Sequence, residues 1–351
     1  MKRILAVISI LILSATGAWS QPEETQPKWE TIDTPPAEQV RIFEELASKT
    51  VASAYLTDDE GNITFVTFNG LRTESPGDGK EWDGEIINRD MDRKTAPGIS
   101  NEDFHKIRHF PKLTGISLQH QPVTNEGYAV LRAFPEMEAI SLANIKTSVP
   151  REWRGTDKMP TSELFYYLDG MRDLKVWDTT HSFGFQDDPD VLKELQGYPE
   201  LRVCIVDRGH ADDFEELYPF LQKSPKLEQL KLHRCSMTED EIKQILDALP
   251  NLKRLDMKPA GNEPGKRWSY RSLRLLKDYP NLKYVRLIHG DALPLPWEDG
   301  LEHLVDAKNI THLEFPLKGS GPLKEEDIAR LMKERPDLTL VNLPENLLPE
   351  G

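Results

Sequence analysis

The stretch LEQLKLHRCSMTEDEIKQILDALP, running from Leu227 to Pro250, decides the fold. Its first six residues follow the pattern apolar-x-x-apolar-x-apolar, with Leu227, Leu230 and Leu232 at the apolar places. The following TEDEIKQILDALPN repeats apolar residues at three- and four-residue spacing, which predicts an amphipathic helix. Pro250 closes that helix, because proline cannot continue its hydrogen-bond ladder and biases the preceding residue toward extended backbone. One such strand-helix unit has little against which to bury its two apolar faces, so it must stack on copies of itself.

Those copies are present on both sides. LTGISL from Leu113, MEAISL from Met137, LKVWDT from Leu174 and LRVCIV from Leu201 precede it. LKRLDM from Leu252, LKYVRL from Leu282, ITHLEF from Ile310 and LTLVNL from Leu338 follow. Successive starts are 24, 37, 27, 26, 25, 30, 28 and 28 residues apart, a repeat period with one long insertion. ITFVTF from Ile63 is an outlying first member. Before it, AEQVRIFEELASK (37–49) reads as an amphipathic helix and VASAYLTD-DEGN-ITFVTF as a β-hairpin. A terminal repeat needs a cover, and helix plus hairpin supply one.

The chain resembles the bacterial leucine-rich-repeat proteins over residues 37–351. The Leu227–Pro250 stretch carries the resemblance best, with Cys235 at the family's inward Asn/Cys position, and PKLTGISLQHQPVTNEGYAVLRAFP resembles the Val-Thr repeats of exported members. Elsewhere that position departs from Asn or Cys, holding Gln121, Ile145, Ser182, Gly209, Ala260 and Gly290. The resemblance implies an α/β solenoid, a curved horseshoe with parallel strands on the concave face and an N-terminal helix-hairpin cap. The expected order is a signal peptide (1–20), a flexible leader (21–36), cap and first strand (37–68) and the repeat region with insertions (69–351).

Lys2 and Arg3, the apolar run Ile4–Leu13 and the small-x-small signal Ala18-Trp19-Ser20 form a secretory leader, predicting a mature chain from near Gln21 and an exported, periplasmic or secreted protein. No later stretch is long enough to be a membrane span. The whole chain carries 44 Lys plus Arg against 59 Asp plus Glu. Without the leader's two cations the net charge is −17, which excludes a general nucleic-acid binder. Cys204 and Cys235 are the only cysteines, so disulfides do not hold the fold. Their repeat positions predict two core-facing thiols, with a disulfide between them as the alternative.

Function must come from the displayed surface. In the strand register, the position after the second apolar gives Ser117, Ser141, Asp178, Ile205, Lys231, Asp256, Arg286, Glu314 and Asn342. With the two columns beyond it, this brings Arg208, Lys231, His233, Arg234, Lys258, Arg286 and His289 into one basic or mixed-charge area on adjacent strands about 4.8 Å apart. Such an area can select an anionic partner despite the net charge; equally, Asp178, Asp207, Asp256 and Glu314 can neutralise it internally. Trp82, Trp153, Trp268 and Trp297 follow in irregular segments, Trp153, Trp268 and Trp297 being candidates for a ligand-contacting rim or for pins that hold loops to the solenoid.

Catalytic letters are sparse. Asp178-x-x-His181-Ser182 supplies no nucleophile elbow, His105 and His109 lack a zinc signature, and the acidic runs lack calcium-loop spacing. The expected function is therefore non-catalytic: a recognition or scaffold module of the bacterial envelope that binds a protein, peptide or anionic glycan, with no cofactor or metal. An envelope assembly protein and an extracellular hydrolase are the alternatives.

Overall fold

Alternation of buried and outward side chains turns the repeated motif into strands. The computed structural model describes residues 29–70, 87–88, 98–143, 161–179, 191–207, 213–235, 237–259, 270–287, 297–315 and 324–341. Its strands are β1 (Ala52–Thr57), β2 (Ile63–Asn69), β3 (Ile87–Asn88), β4 (Gly115–Gln119), β5 (Ala139–Ala143), β6 (Val176–Asp178), β7 (Val203–Asp207), β8 (Gln229–Cys235), β9 (Arg254–Pro259), β10 (Tyr284–Leu287), β11 (His312–Glu314) and β12 (Thr339–Val341). They form one open sheet in the order β12-β11-β10-β9-β8-β7-β6-β5-β4-β2-β1-β3. From β2 to β12 every pairing is parallel, whereas β1 is antiparallel to β2 and to β3. This is the α/β leucine-rich-repeat solenoid with its helix-hairpin cap.

The motif's second and third apolar places point into one continuous core: Ile116 and Leu118, Leu230 and Leu232, Leu255 and Met257 are buried there. Helices close the same side. Glu239–Ala248, inside the opening stretch, begins at Thr238, whose hydroxyl accepts from the Glu241 amide while the Glu241 carboxylate accepts from the Thr238 amide. That reciprocal cap satisfies two donors the first turn leaves unpaired. The helix buries Ile242, Ile245 and Leu246.

At the N-terminus the helix spans Pro36–Ala47, slightly before the expected 37–49, because Pro36 is accommodated at its first position. Gln39 is fully buried and ties the cap together, donating to the Thr34 carbonyl at 2.7 Å and accepting from the Ile63 amide at 2.8 Å. Gly61 turns the hairpin with φ 86°, while Asp58 accepts from the Asn62 amide at 2.8 Å. Residues 29–35 lie within the segment expected to be a flexible leader, yet they are bonded down: the Ile32 amide donates to the Arg108 carbonyl at 2.8 Å, Thr34 Oγ1 and His109 Nδ1 are 3.0 Å apart, and Trp29 packs against His105 with ring centroids 4.5 Å apart.

Buried carbonyls of the repeats are met by side chains. Gln121, where the repeat resemblance implies Asn or Cys, is fully buried; its amide donates to the Phe68 and Gln119 carbonyls and accepts from the Ile99 amide. Near the other end, Asn309 donates to the carbonyls of Leu276, Tyr279 and Leu282. One repeat on, Asp337 stands at the matching place and cannot donate. Arg335, with no exposed surface, supplies the bonds instead, donating to the carbonyls of Leu304, Ala307 and Ile310 at 2.6, 3.0 and 2.7 Å. Asp337 holds the guanidinium with two bonds of 2.9 and 2.8 Å.

Candidate binding face

With the helices on the core side, the outward residues of the parallel strands form an open face crossed by rows set by the pairing register. The central row starts Thr67, Ser117, Ser141, Asp178 on β2, β4, β5 and β6, and continues Ile205, Lys231, Asp256, Arg286, Glu314 on β7 to β11. These positions coincide with the expected column except at its end. Glu314 pairs with Val341 rather than Asn342: the Phe315 amide donates to the Val341 carbonyl at 3.0 Å, so the last described strand is shifted by one residue.

A second row, two residues earlier on each strand, was not counted in the sequence register. It runs Gly115, Ala139, Val176, Val203 and then Gln229, Arg254, Tyr284, His312. Strand period alone identifies it, since residues two apart share a face. Arg254 is its centre. Its guanidinium bonds Asp256 twice, at 2.7 and 3.1 Å, reaches Glu314 on β11 at 3.2 Å, and lies 4.1 Å from the centroid of the intervening Tyr284 ring. Tyr284 in turn donates its hydroxyl to Glu314 and stacks on His312, with centroids 5.6 Å apart and planes within 10°.

Electrostatically the carboxylates lie beneath and the cations above. The side chains of Asp256 and Glu314 are 3% and 9% exposed, against 29% for Arg254 and 30% for Arg286. Burial works against the charge on Arg254, but the Asp256 bond and the surrounding negative groups outweigh it and raise its pKa above the ordinary value. Burial and the bond to Glu314 push the Tyr284 hydroxyl up to about 12. Arg286 Nε lies 3.3 Å from Glu314 Oε1, close enough for charge attraction, yet the geometry makes no hydrogen bond and leaves that nitrogen without a partner.

Of the expected site residues, Lys231 and Arg286 share the central row on β8 and β10. The backbones of His233 and Lys258 pair directly on β8 and β9, and Arg234 falls in the register shift between His233 and Cys235. Arg208, His289, Trp153 and Trp268 lie outside the described residues, as does Trp82. Trp297 is buried, with the Arg330 guanidinium carbon 4.0 Å from its ring centroid.

Three comparisons give the fold a context. No protein-family model matches the chain, and no curated protein matches it. Among solved structures it is similar to the leucine-rich-repeat-containing protein LegL7 of Legionella pneumophila, at 13% identity over 69% of this chain and 76% of that one, with a TM-score of 0.40. It is also similar to a protein of Bacteroides fragilis, at 14% identity over 68% and 69% with a TM-score of 0.37. A leucine-rich-repeat protein of Leptospira interrogans matches at 13% identity over 69% and 75%, with a TM-score of 0.28.

Among the described residues no three His, Cys, Asp or Glu side chains cluster as a metal site. Asp178 accepts from Ser141 Oγ at 2.9 Å, while His181 and Ser182 lie outside the described residues. His105 and His109 are occupied with the N-terminal segment. Cys204 is a free thiol in the core, where burial raises its pKa and keeps it protonated. Cys235 ends β8 opposite Pro259; its side chain is outside the described residues. No helix among the described residues is long and apolar enough to cross a membrane.

Proposed function

We propose that this chain is an exported, non-catalytic binding module of the bacterial envelope, whose open face takes up a protein, peptide or anionic glycan. One observation carries the reading: across β9 to β11, the half-exposed Arg254 and Arg286 sit above the buried carboxylates of Asp256 and Glu314, which fix Arg254 in place and draw Arg286 by charge. An approaching ligand meets the positive groups first, and guanidinium groups already held in one orientation lose less freedom on binding. The secretory leader supports the exported location, and the lack of a catalytic constellation in the sequence supports a binding role.

A steric block tests it. Gln229 is a half-buried neutral residue between Val203 and Arg254 on the open face, whereas Lys243 is exposed on the helix Glu239–Ala248. Fractionated envelope protein, peptidoglycan fragments and anionic polysaccharide are titrated against the mature protein and its Gln229→Trp and Lys243→Trp variants. Binding lost only in Gln229→Trp supports the reading. Equal binding by all three proteins refutes an open-face site, and an insoluble lattice of the protein itself would support assembly instead.

A further inference from the structure

The open-face cations differ in how far their donors are committed. Arg254 is committed to Asp256, Glu314 and the Tyr284 ring. Arg286 and Lys231 differ: among the described residues Arg286 has only its 3.3 Å charge contact with Glu314, and Lys231 has no ion pair or hydrogen bond. The two flank Asp256 in one row, Lys231 on β8 and Arg286 on β10. Asp256 is held down and neutralised by Arg254, so the space above it is bordered by two cations whose donors are uncommitted.

The neighbours on the other side of Lys231 are aliphatic. Ile205 pairs with Lys231 across β7 and β8; Val203 lies two residues before it on the same face, and Val176 pairs with Val203 from β6. All three are half-buried. At a strand spacing of about 4.8 Å, β7 is about 10 Å from β9, roughly the reach of three residues of extended peptide.

We propose that Lys231 and Arg286 form the carboxylate-reading end of a peptide site whose apolar end is Val176, Val203 and Ile205. Resting on the open-face reading above, this names the ligand as a protein segment carrying an aliphatic side chain and an acidic side chain two to four residues apart. Lys231 and Arg286 share the acidic group, and the aliphatic group covers the valines and Ile205. The aliphatic end favours peptide over glycan, because branched hydrocarbon matches aliphatic side chains, whereas a sugar ring would leave hydroxyls unpaired against them.

The probes are fluorescein-labelled Gly/Ser nonapeptides containing one Leu and one Glu at spacings of two, three and four, with Glu→Gln and Leu→Ser controls. Polygalacturonate oligomers and sulfated oligosaccharides form the glycan arm. Anisotropy of the mature protein is expected to select a Leu/Glu peptide at least tenfold over both controls. Lys231→Glu should abolish that preference, Arg286→Gln should reduce it about tenfold, Ile205→Ser should remove the dependence on Leu, and Lys243→Ala should change nothing. Thermal melts verify folding; Lys231→Glu, which breaks no described contact, keeps the test valid if Arg286→Gln unfolds. Equal binding of the Gln control, or an unchanged Lys231→Glu variant, overturns the proposal, as does glycan binding that depends on Lys231 while no peptide binds. Envelope binding that is lost in Gln229→Trp but survives Lys231→Glu would overturn this subsite and leave the open-face reading standing. Survival in both variants refutes that reading itself.

Discussion

The two halves of the open face are built from the same backbone and opposite side chains. In the first and central rows, β4 and β5 carry Gly115, Ser117, Ala139 and Ser141, small and uncharged, whereas β9 to β11 carry Arg254, Asp256, Tyr284, Arg286, His312 and Glu314. The bonds that hold the repeats differ in the same sense. Gln121 meets buried backbone groups with a neutral amide near the N-terminus, whereas in the last described repeat Arg335, held by Asp337, does so with a charge. A solenoid tolerates this because each repeat contacts only its neighbours. Stability and surface chemistry thus vary along the chain without changing the fold.

The largest effect should come from Arg335→Leu, which leaves the Leu304, Ala307 and Ile310 carbonyls without their donor inside the fold. At about 1 kcal/mol or more for each unmet acceptor, the C-terminal repeats should lose about 3 kcal/mol, read as faster hydrogen exchange on β11 and β12 with β4 and β5 unaffected. Adding Asp337→Asn should recover part of the loss, since that restores the amide that Asn309 supplies one repeat earlier. No recovery would mean that the two sites are not equivalent.

A smaller contrast lies within the central row. Asp256→Ala leaves Arg254 only Glu314 and the Tyr284 ring and should cost about 2 kcal/mol in denaturant melts, less than a fully buried pair because Arg254 is 29% exposed. Ser141→Ala at the matching place on β5 removes one bond to Asp178 and should cost about 1 kcal/mol or less. Equal costs would erase the distinction between the halves.

The ends should also separate by pH. Burial, reinforced by Arg108, lowers the His109 pKa, so its contribution to the N-terminal segment is complete above the unfolded value of about 6.5 and is lost as pH falls through the lower folded one. The bond to Arg335 holds Asp337 at about 2, so its contribution persists above the unfolded carboxyl range near 4 and disappears only toward pH 2. Residue-resolved exchange from pH 7 to 3 should therefore loosen residues 29–35 first. Simultaneous loosening of both ends would contradict these assignments.

Much of this organisation is legible from period alone. Leu230, Leu232 and their counterparts fix the strands, and register then fixes which residues share a row. Arg254 and Tyr284 escaped because the columns began after the second apolar residue, although the residue before it faces the same way. At β12 Glu314 pairs with Val341 instead of the expected Asn342, a one-residue slip that the apolar period alone does not reveal. Trp29, Thr34 and His109 show no periodic signal, so their contacts emerge only when chain-distant elements pack together. The Arg335–Asp337 substitution for an Asn is readable only after the carbonyls needing donors are known.

Lysine acetylation footprinting of the full chain, alone and in the presence of each envelope fraction proposed as its ligand, tests the central claim most directly. Lys231 should become protected several-fold, while Lys243 and Lys333 on the helices Glu239–Ala248 and Glu325–Glu334 react as before. Protection of Lys243 and Lys333 with Lys231 unchanged would place the binding surface on the helices and contradict an open-face site.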